Sequence, residues 1–299
     1  MNLEKLIEAL DSLKDNEYVT LANPNIIFKE KVLEDGKVYK EIAIPERLLR
    51  KIDFSNVSFD NVCICGFDFT GFIGVKIDPQ TVYDKDFNFC VLSGVLFDGS
   101  FDGANISKTN FTGSKGAKIN PQTIYNKNLS ECKFSGVEFI GPFDGVKING
   151  ADFTGSKGAR IDPQTVYKGN LSECKFSGVE FIESFDRVII EGADFTGSKG
   201  ARIEPQTVYK RNLRRCKFSG VEFIGPFDGI YLHETDFTGS KGAKIDLQTV
   251  YFDDLSLCVL TDAKIIDDIN MENIGTIKSR NSNDETGLID ANFKLMRKK

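Results

Sequence analysis

A chain of 299 residues, 40% of them hydrophobic, is long enough to bury a large core or, if built from repeats, to stack many small ones. Its 38 basic and 44 acidic residues give a formal charge of -6, which excludes a general attraction to nucleic acid but not a local basic stripe. The opening MNLEKLIEALDSLKDNEY lacks the basic start and unbroken apolar segment of a secretory signal, and no apolar stretch approaches membrane-spanning length, so a cytoplasmic location is expected.

Residues 1–50 read as an N-terminal cap. Leu3, Leu6, Ile7 and Leu10 recur at helical spacing and predict a short helix over residues 3–14. NIIFKEKVLEDGKVYKEIAI comes next, and Asp35-Gly36 suits the turn of a β-hairpin. Two roles are open to this segment: its apolar side shields the repeats that begin at residue 51, or its helix meets a partner. Cys63 and Cys65 flank an inward Ile64, and a single CxC does not define a metal or redox site.

From residue 51 to 266 the chain repeats. FTGSKGA begins at Phe111, Phe153, Phe195 and Phe237, with a worn copy at Phe69, always 42 residues apart. Within a copy, large apolar residues recur mostly every five, as at Leu129, Phe134 and Phe139. Five helical steps of about 100° would scatter such residues around an axis, so a helix buries no single stripe. A short extended side followed by a turn fits better, with two of every five residues inward and four sides closing a square coil of about twenty residues. Coils would stack through parallel hydrogen bonds at roughly 4.8 Å.

Four uninterrupted apolar columns result, beginning at Phe54, Phe59, Ile64 and Phe69, and they absorb nineteen of the 25 phenylalanines. The 42-residue unit is then two coils, with one step shortened to four residues, Phe139 to Phe143, and one lengthened to eight, Phe153 to Ile161. Cys90, Cys132, Cys174, Cys216 and Cys258 also recur every 42 residues. Two coils separate them by about 9.6 Å, too far for a disulfide or one metal, so buried reduced thiols are expected.

The A(D/N)(F/L)xx rhythm, read in ADFTG at Ala151 and Ala193 and in GANIS around Ile106, resembles the pentapeptide-repeat family over about residues 52–266. The resemblance implies an all-β fold, a right-handed quadrilateral parallel β-helix or pentapeptide-repeat solenoid, here with a small α/β N-terminal cap over 1–50 and a C-terminal cap and tail over 267–299. Some members of that family look like DNA in shape and charge and bind type II DNA topoisomerase; others resemble scaffolding modules.

The eight-residue step FTGSKGARI carries three residues beyond a normal side, without the GxxxxGK[ST] of a phosphate loop. Gly155 and Gly158 therefore read as turning a protruding corner. Two alignments place either Gly158 or Ile161 at the column centre, and Ile161 restores the column with Ala159 inward. Lys115, Lys118, Lys157, Arg160, Lys199, Arg202, Lys241 and Lys244 then form a basic ridge, which is either a solvated edge or a partner surface. Tyr83, Tyr125, Tyr167, Tyr209 and Tyr251 form an outward row alternating with Asp102, Asp144, Asp186 and Asp228, open to recognition or to inherited packing.

Gln80, Gln122, Gln164, Gln206 and Gln248 are expected inward with hydrogen-bond partners, and Pro79, Pro121, Pro163 and Pro205 at corners. His233 stands alone, and no carboxylate pair is set apart by an apolar pocket, so no enzyme, cofactor or metal site is expected. The functional expectation is a non-enzymatic protein-protein interaction or scaffold module presenting repeated side chains to a protein partner. The alternative is a DNA-mimicking binder of a type II DNA topoisomerase. Neither nucleic-acid binding nor membrane insertion is expected, and a homodimer is compatible with the sequence.

Overall fold

The computed structural model describes residues 2–14, 16–246 and 257–266. The chain divides into two compact units, Met1–Gly141 with Gly155–Lys157, and Pro142–Thr154 with Gly158–Lys299.

The first unit begins with α1 (Leu3–Ser12), whose N-cap Asn2 accepts a hydrogen bond from the Lys5 amide at 3.0 Å. Leu6 and Leu10 are buried, as are Leu48 and Leu49 of α2 (Glu46–Leu49), the helix against which α1 packs. The last carbonyls of α1 have no helical partner. Lys51 answers them, its Nζ donating to Leu10 at 3.2 Å and Leu13 at 2.7 Å. β1 (Val19–Thr20), between the helices, pairs in parallel with β4 (Ile52–Asp53), which follows α2, while β2 (Phe28–Val32) and β3 (Val38–Ile42) form an antiparallel hairpin. Gly36 turns that hairpin at φ +80, where a side chain would be strained.

Two-residue parallel pairs complete the first unit: β5 (Lys76–Ile77) with β6 (Leu96–Phe97), and β7 (Lys118–Ile119) with β8 (Glu138–Phe139). The second unit contains β9 (Arg160–Ile161) with β10 (Glu180–Phe181), β11 (Arg202–Ile203) with β12 (Glu222–Phe223), and β13 (Lys244–Asp246) with β14 (Lys264–Ile266). In each pair the partners lie twenty residues apart.

Alternation along these short strands turns one residue inward. In the second unit a further row of phenylalanines, each one residue after an isolated backbone bridge, packs ring on ring, with centroid separations of 6.1 Å for Phe153–Phe176, 5.3 Å for Phe176–Phe195, 5.8 Å for Phe195–Phe218 and 5.5 Å for Phe218–Phe237. All five rings are fully buried. Phe111 and Phe134 stack in the first unit at 6.1 Å. The column positions Val250 and Leu255, and the expected cap and tail over 267–299, lie outside the described residues.

The hydrogen-bond topology corrects the expected fold class. Among the described residues the strands form seven separate two-stranded sheets, six parallel and one antiparallel, accompanied by two α-helices. The fold is mixed α/β with discrete short sheets, and the all-β right-handed quadrilateral β-helix, the continuous pentapeptide-repeat solenoid, is not what the chain builds. The reason lies in the lengthened step. Glu180 bridges to Lys199, but the next strand pair starts at Arg202, so the ladder is cut and restarted three residues later. Gly200 makes the offset at φ +73, and a Cβ there would collide with the Phe181 carbonyl oxygen. Each of the two alignments open in the sequence thus describes one side of the step: Lys199–Gly200 keeps register with the preceding strand, and Ile203 with the following one. Paired left-handed residues, such as Lys210 and Arg211 at φ 54, interrupt the extended backbone again.

Phe176→Ala is expected to lower the unfolding free energy by about 3–5 kcal/mol, read as a reduced denaturant midpoint. Gly200→Ala should also destabilise, because both its dihedral and its contact with the neighbouring strand are unfavourable to a side chain.

Candidate docking site

The parallel pairing decides which outward side chains meet. All eight cations of the expected ridge are exposed. Three of them are already engaged: Lys118 with Glu138 at 3.5 Å in the first unit, and Arg160 with Glu180 and Arg202 with Glu222, each at 3.1 Å, in the second. Lys115, Lys157, Lys199, Lys241 and Lys244 make no ion pair among the described residues. On another side of the second unit, acid and base alternate through successive backbone bridges, with Asp152 meeting Lys175 at 3.1 Å and Asp194 meeting Lys217 at 3.0 Å.

Tyr125, Tyr167 and Tyr209 face outward, but Lys147 and Lys168 lie 5.2 Å from the Tyr167 ring centre and Lys210 lies 5.3 Å from that of Tyr209. Tyr83 is half-buried and stacks on Tyr39 of the hairpin at 4.8 Å. Tyr251 and Gln248 lie outside the described residues.

The other glutamines are half-buried, or exposed at Gln164, rather than inward; the buried places go to Pro79, Pro121, Pro163 and Pro205. Alternation explains the exchange, since Pro163 lies two residues after the inward Ile161. The glutamine amides instead reach along the surface to backbone carbonyls, as from Gln80 to Ser100 at 2.6 Å and from Gln206 to Asp228 at 2.6 Å.

These contacts overturn the expected scaffold module. A repeated surface offered to a partner presents the same uncommitted group in every copy, whereas Lys118, Arg160 and Arg202 are held in ion pairs and the aromatic rings are gathered mainly into internal clusters. The nucleic-acid mimic directed at topoisomerase is overturned as well, because Asp152, Lys175, Asp194 and Lys217 alternate where a mimic needs one continuous sign.

Cys90, Cys132, Cys174, Cys216 and Cys258 are buried free thiols. All five of these sulfurs, in Cys90, Cys132, Cys174, Cys216 and Cys258, donate to carbonyls, those of Ile64, Ile106, Ile148, Ile190 and Leu232, at 2.7–2.9 Å. Burial pushes the thiols of Cys90, Cys132, Cys174 and Cys216 up to about 12. Burial, then the Asp86 carboxylate, raises Cys65 to about 11. For Asp152 and Asp194, burial raises the carboxyl, yet hydrogen bonds from Thr154 and Thr196 and the lysine partners outweigh it and hold both below the usual range. His233 lies 3.6 Å from Glu234. The described residues contain no group of three or more His, Cys, Asp or Glu placed to hold a metal.

A different surface stands out in the second unit. After the inward Phe181 and Phe223, the strand continues one residue, Ile182 donating its amide to Ile161 at 3.2 Å and Ile224 to Ile203 at 3.1 Å. Alternation therefore turns these isoleucines outward, and they remain 46% and 43% exposed. A 290 Å³ cavity is lined by Ile182, Glu183, Ser184, Gly200, Arg202 and Ile224 together with Phe181. A 500 Å³ cavity shares Ile224 and is lined also by Phe223, Gly225, Pro226, Phe227, Gly242 and Lys244 and by the carboxylate residues Asp228 and Asp246. Gly200, Gly225 and Gly242 contribute bare backbone to the lining of these cavities. The sequence carried a signal for it that the column pattern concealed: EFIES and EFIGP place a large apolar residue directly after a column centre, at the four-residue step.

Comparison with protein-family models gives no match, the pentapeptide-repeat family included, and no curated protein matches the chain. No helix among the described residues is long and apolar enough to cross a membrane.

The thiols give a pH prediction. Folded pKa values near 12 exceed the ordinary 9.0, so the unfolded chain loses these protons first as pH rises. Stability should be intact below about pH 9 and fall above it, measured by denaturant unfolding across about pH 7–10.5. At about pH 8 these thiols should resist a thiol reagent in the folded protein and react once it is unfolded.

Proposed function

We propose that the chain is a non-catalytic binding protein that docks one segment of a protein partner at the corner formed by Ile182 and Ile224. The observation carrying this reading is the pair of half-exposed isoleucines over adjoining cavities of 290 and 500 Å³ that share Ile224. Burying one large apolar side chain there is worth about 1.5–3 kcal/mol, and the glycines let a partner backbone approach closely. The lining supplies apolar contact with rim charge, the ingredients of recognition rather than of proton transfer or nucleophilic attack.

Of the ridge residues, Lys199 and Lys241 directly precede the lining glycines Gly200 and Gly242, so this reading gives them a steering role at the rim. The tyrosine row has no part in it. Five buried thiols in the reduced state favour the cytoplasm as the working compartment.

Ile182→Asp and Ile224→Asp should each reduce partner capture by an immobilised chain at least tenfold, with circular dichroism and thermal unfolding unchanged. Charge reversal at Lys115 and Lys118 in the first unit should leave capture intact. Undiminished capture by both isoleucine variants would remove the corner from the function.

A further inference from the structure

The corner carries a charge irregularity at one end, and that irregularity identifies the chemistry of its occupant. In the second unit, the cation opening a strand pair is answered by a glutamate in register: Arg160 by Glu180, and Arg202 by Glu222. The third pair departs from this pattern, because Lys244 stands in register with Lys264. Both are exposed, and like charges set opposite each other oppose pairing.

Neighbouring acids do not resolve the repulsion. Glu222 is committed to Arg202, and Asp262 accepts a hydrogen bond from the Gly239 amide at 2.9 Å. Asp246, in register with Ile266, lines the cavity together with Asp228 and is engaged in an interaction of its own. Lys241 is bridged through its backbone to Glu222 and adds a third ammonium. Among the described residues, no carboxylate pairs with Lys241, Lys244 or Lys264.

Resting on the corner as the docking site, we propose that its occupant is an acidic, apolar extended segment of a partner protein. Its carboxylate meets the ammonium groups of Lys244 and Lys264, supplying from outside the charge that Glu180 and Glu222 supply in register in the preceding pairs, and a large apolar side chain enters the 500 Å³ cavity that Lys244 shares with Ile224 and Pro226. An extended strand puts residues two apart on one face, so the recognised pattern is a carboxylate, any residue, then a large apolar residue. The chain's own Glu222, Phe223 and Ile224 have this spacing.

The test uses fluorescence anisotropy of the full chain with two labelled hexapeptides. One reproduces residues 221–226, VEFIGP; the other replaces its glutamate by lysine. The acidic peptide is expected to bind at least tenfold more tightly at low salt, with the advantage shrinking as salt rises. Lys264→Glu supplies the carboxylate internally and should abolish the preference without loss of folding. Ile224→Asp should weaken both peptides. Equal binding of the two peptides, with sensitivity to Ile224→Asp, would overturn the acidic occupant and leave the corner standing. An acidic preference untouched by Ile224→Asp would overturn the corner as the seat of binding. Binding of neither peptide would overturn the acidic segment.

Discussion

Ring-on-ring packing of Phe153, Phe176, Phe195, Phe218 and Phe237 is the interaction on which the second unit rests. Each ring is fully buried, and its neighbour lies at 5.3–6.1 Å. A buried phenylalanine contributes about 1.5–3 kcal/mol, whereas a two-residue strand contributes few hydrogen bonds. The rings therefore hold the backbone segments in place, and the short parallel pairs set their register. Once residue i is paired with residue i+20, the outward neighbours have no freedom to choose partners, and Arg160 meets Glu180 as Arg202 meets Glu222.

The buried thiols and the Thr235 hydroxyl obey the same constraint. Packed rings leave room beside them only for a small side chain, while a nearby carbonyl still needs a donor. Cys216 meets both demands by donating to Ile190 at 2.9 Å, and Thr235 meets them by donating to Leu213 at 2.8 Å. The recurrence of cysteine every 42 residues is thus a requirement for volume and a donor, which threonine also satisfies. No redox or metal chemistry is needed to account for it. Burial that raises the thiols to about 12 makes these sulfurs poor nucleophiles and poor ligands.

Much of the core was legible in the sequence. The spacing of Leu6 and Leu10 marked α1, Asp35-Gly36 marked the hairpin, and the five-residue rhythm marked the buried phenylalanines and isoleucines. Apolar periodicity reports which side of the chain faces inward, and it does so whether a ladder is continuous or broken. It is silent on the break itself. That break depends on the offset at Gly200 between Lys199, which pairs backward, and Arg202, which pairs forward, and the continuous β-helix failed there. The same limit explains the ridge: a row of Lys and Arg in a sequence does not reveal that Glu138, Glu180 and Glu222 lie in register with Lys118, Arg160 and Arg202. Ile182 and Ile224 were overlooked because a reading by columns assigns every large apolar residue to the interior.

Exposed ion pairs are each worth little, roughly 0–1 kcal/mol, but they determine which surface retains unspent charge. Where Arg202 and Glu222 satisfy each other, a partner gains no attraction from either. Lys244 and Lys264 have no such mutual neutralisation, and Lys244 lines the cavity in which Ile224 is half-exposed. The apolar contact supplies the greater part of any affinity, and the lysines supply orientation and sign. On the proposed corner, specificity therefore comes from the place where the internal charge pattern stops, because Arg160 and Arg202 are already answered by Glu180 and Glu222.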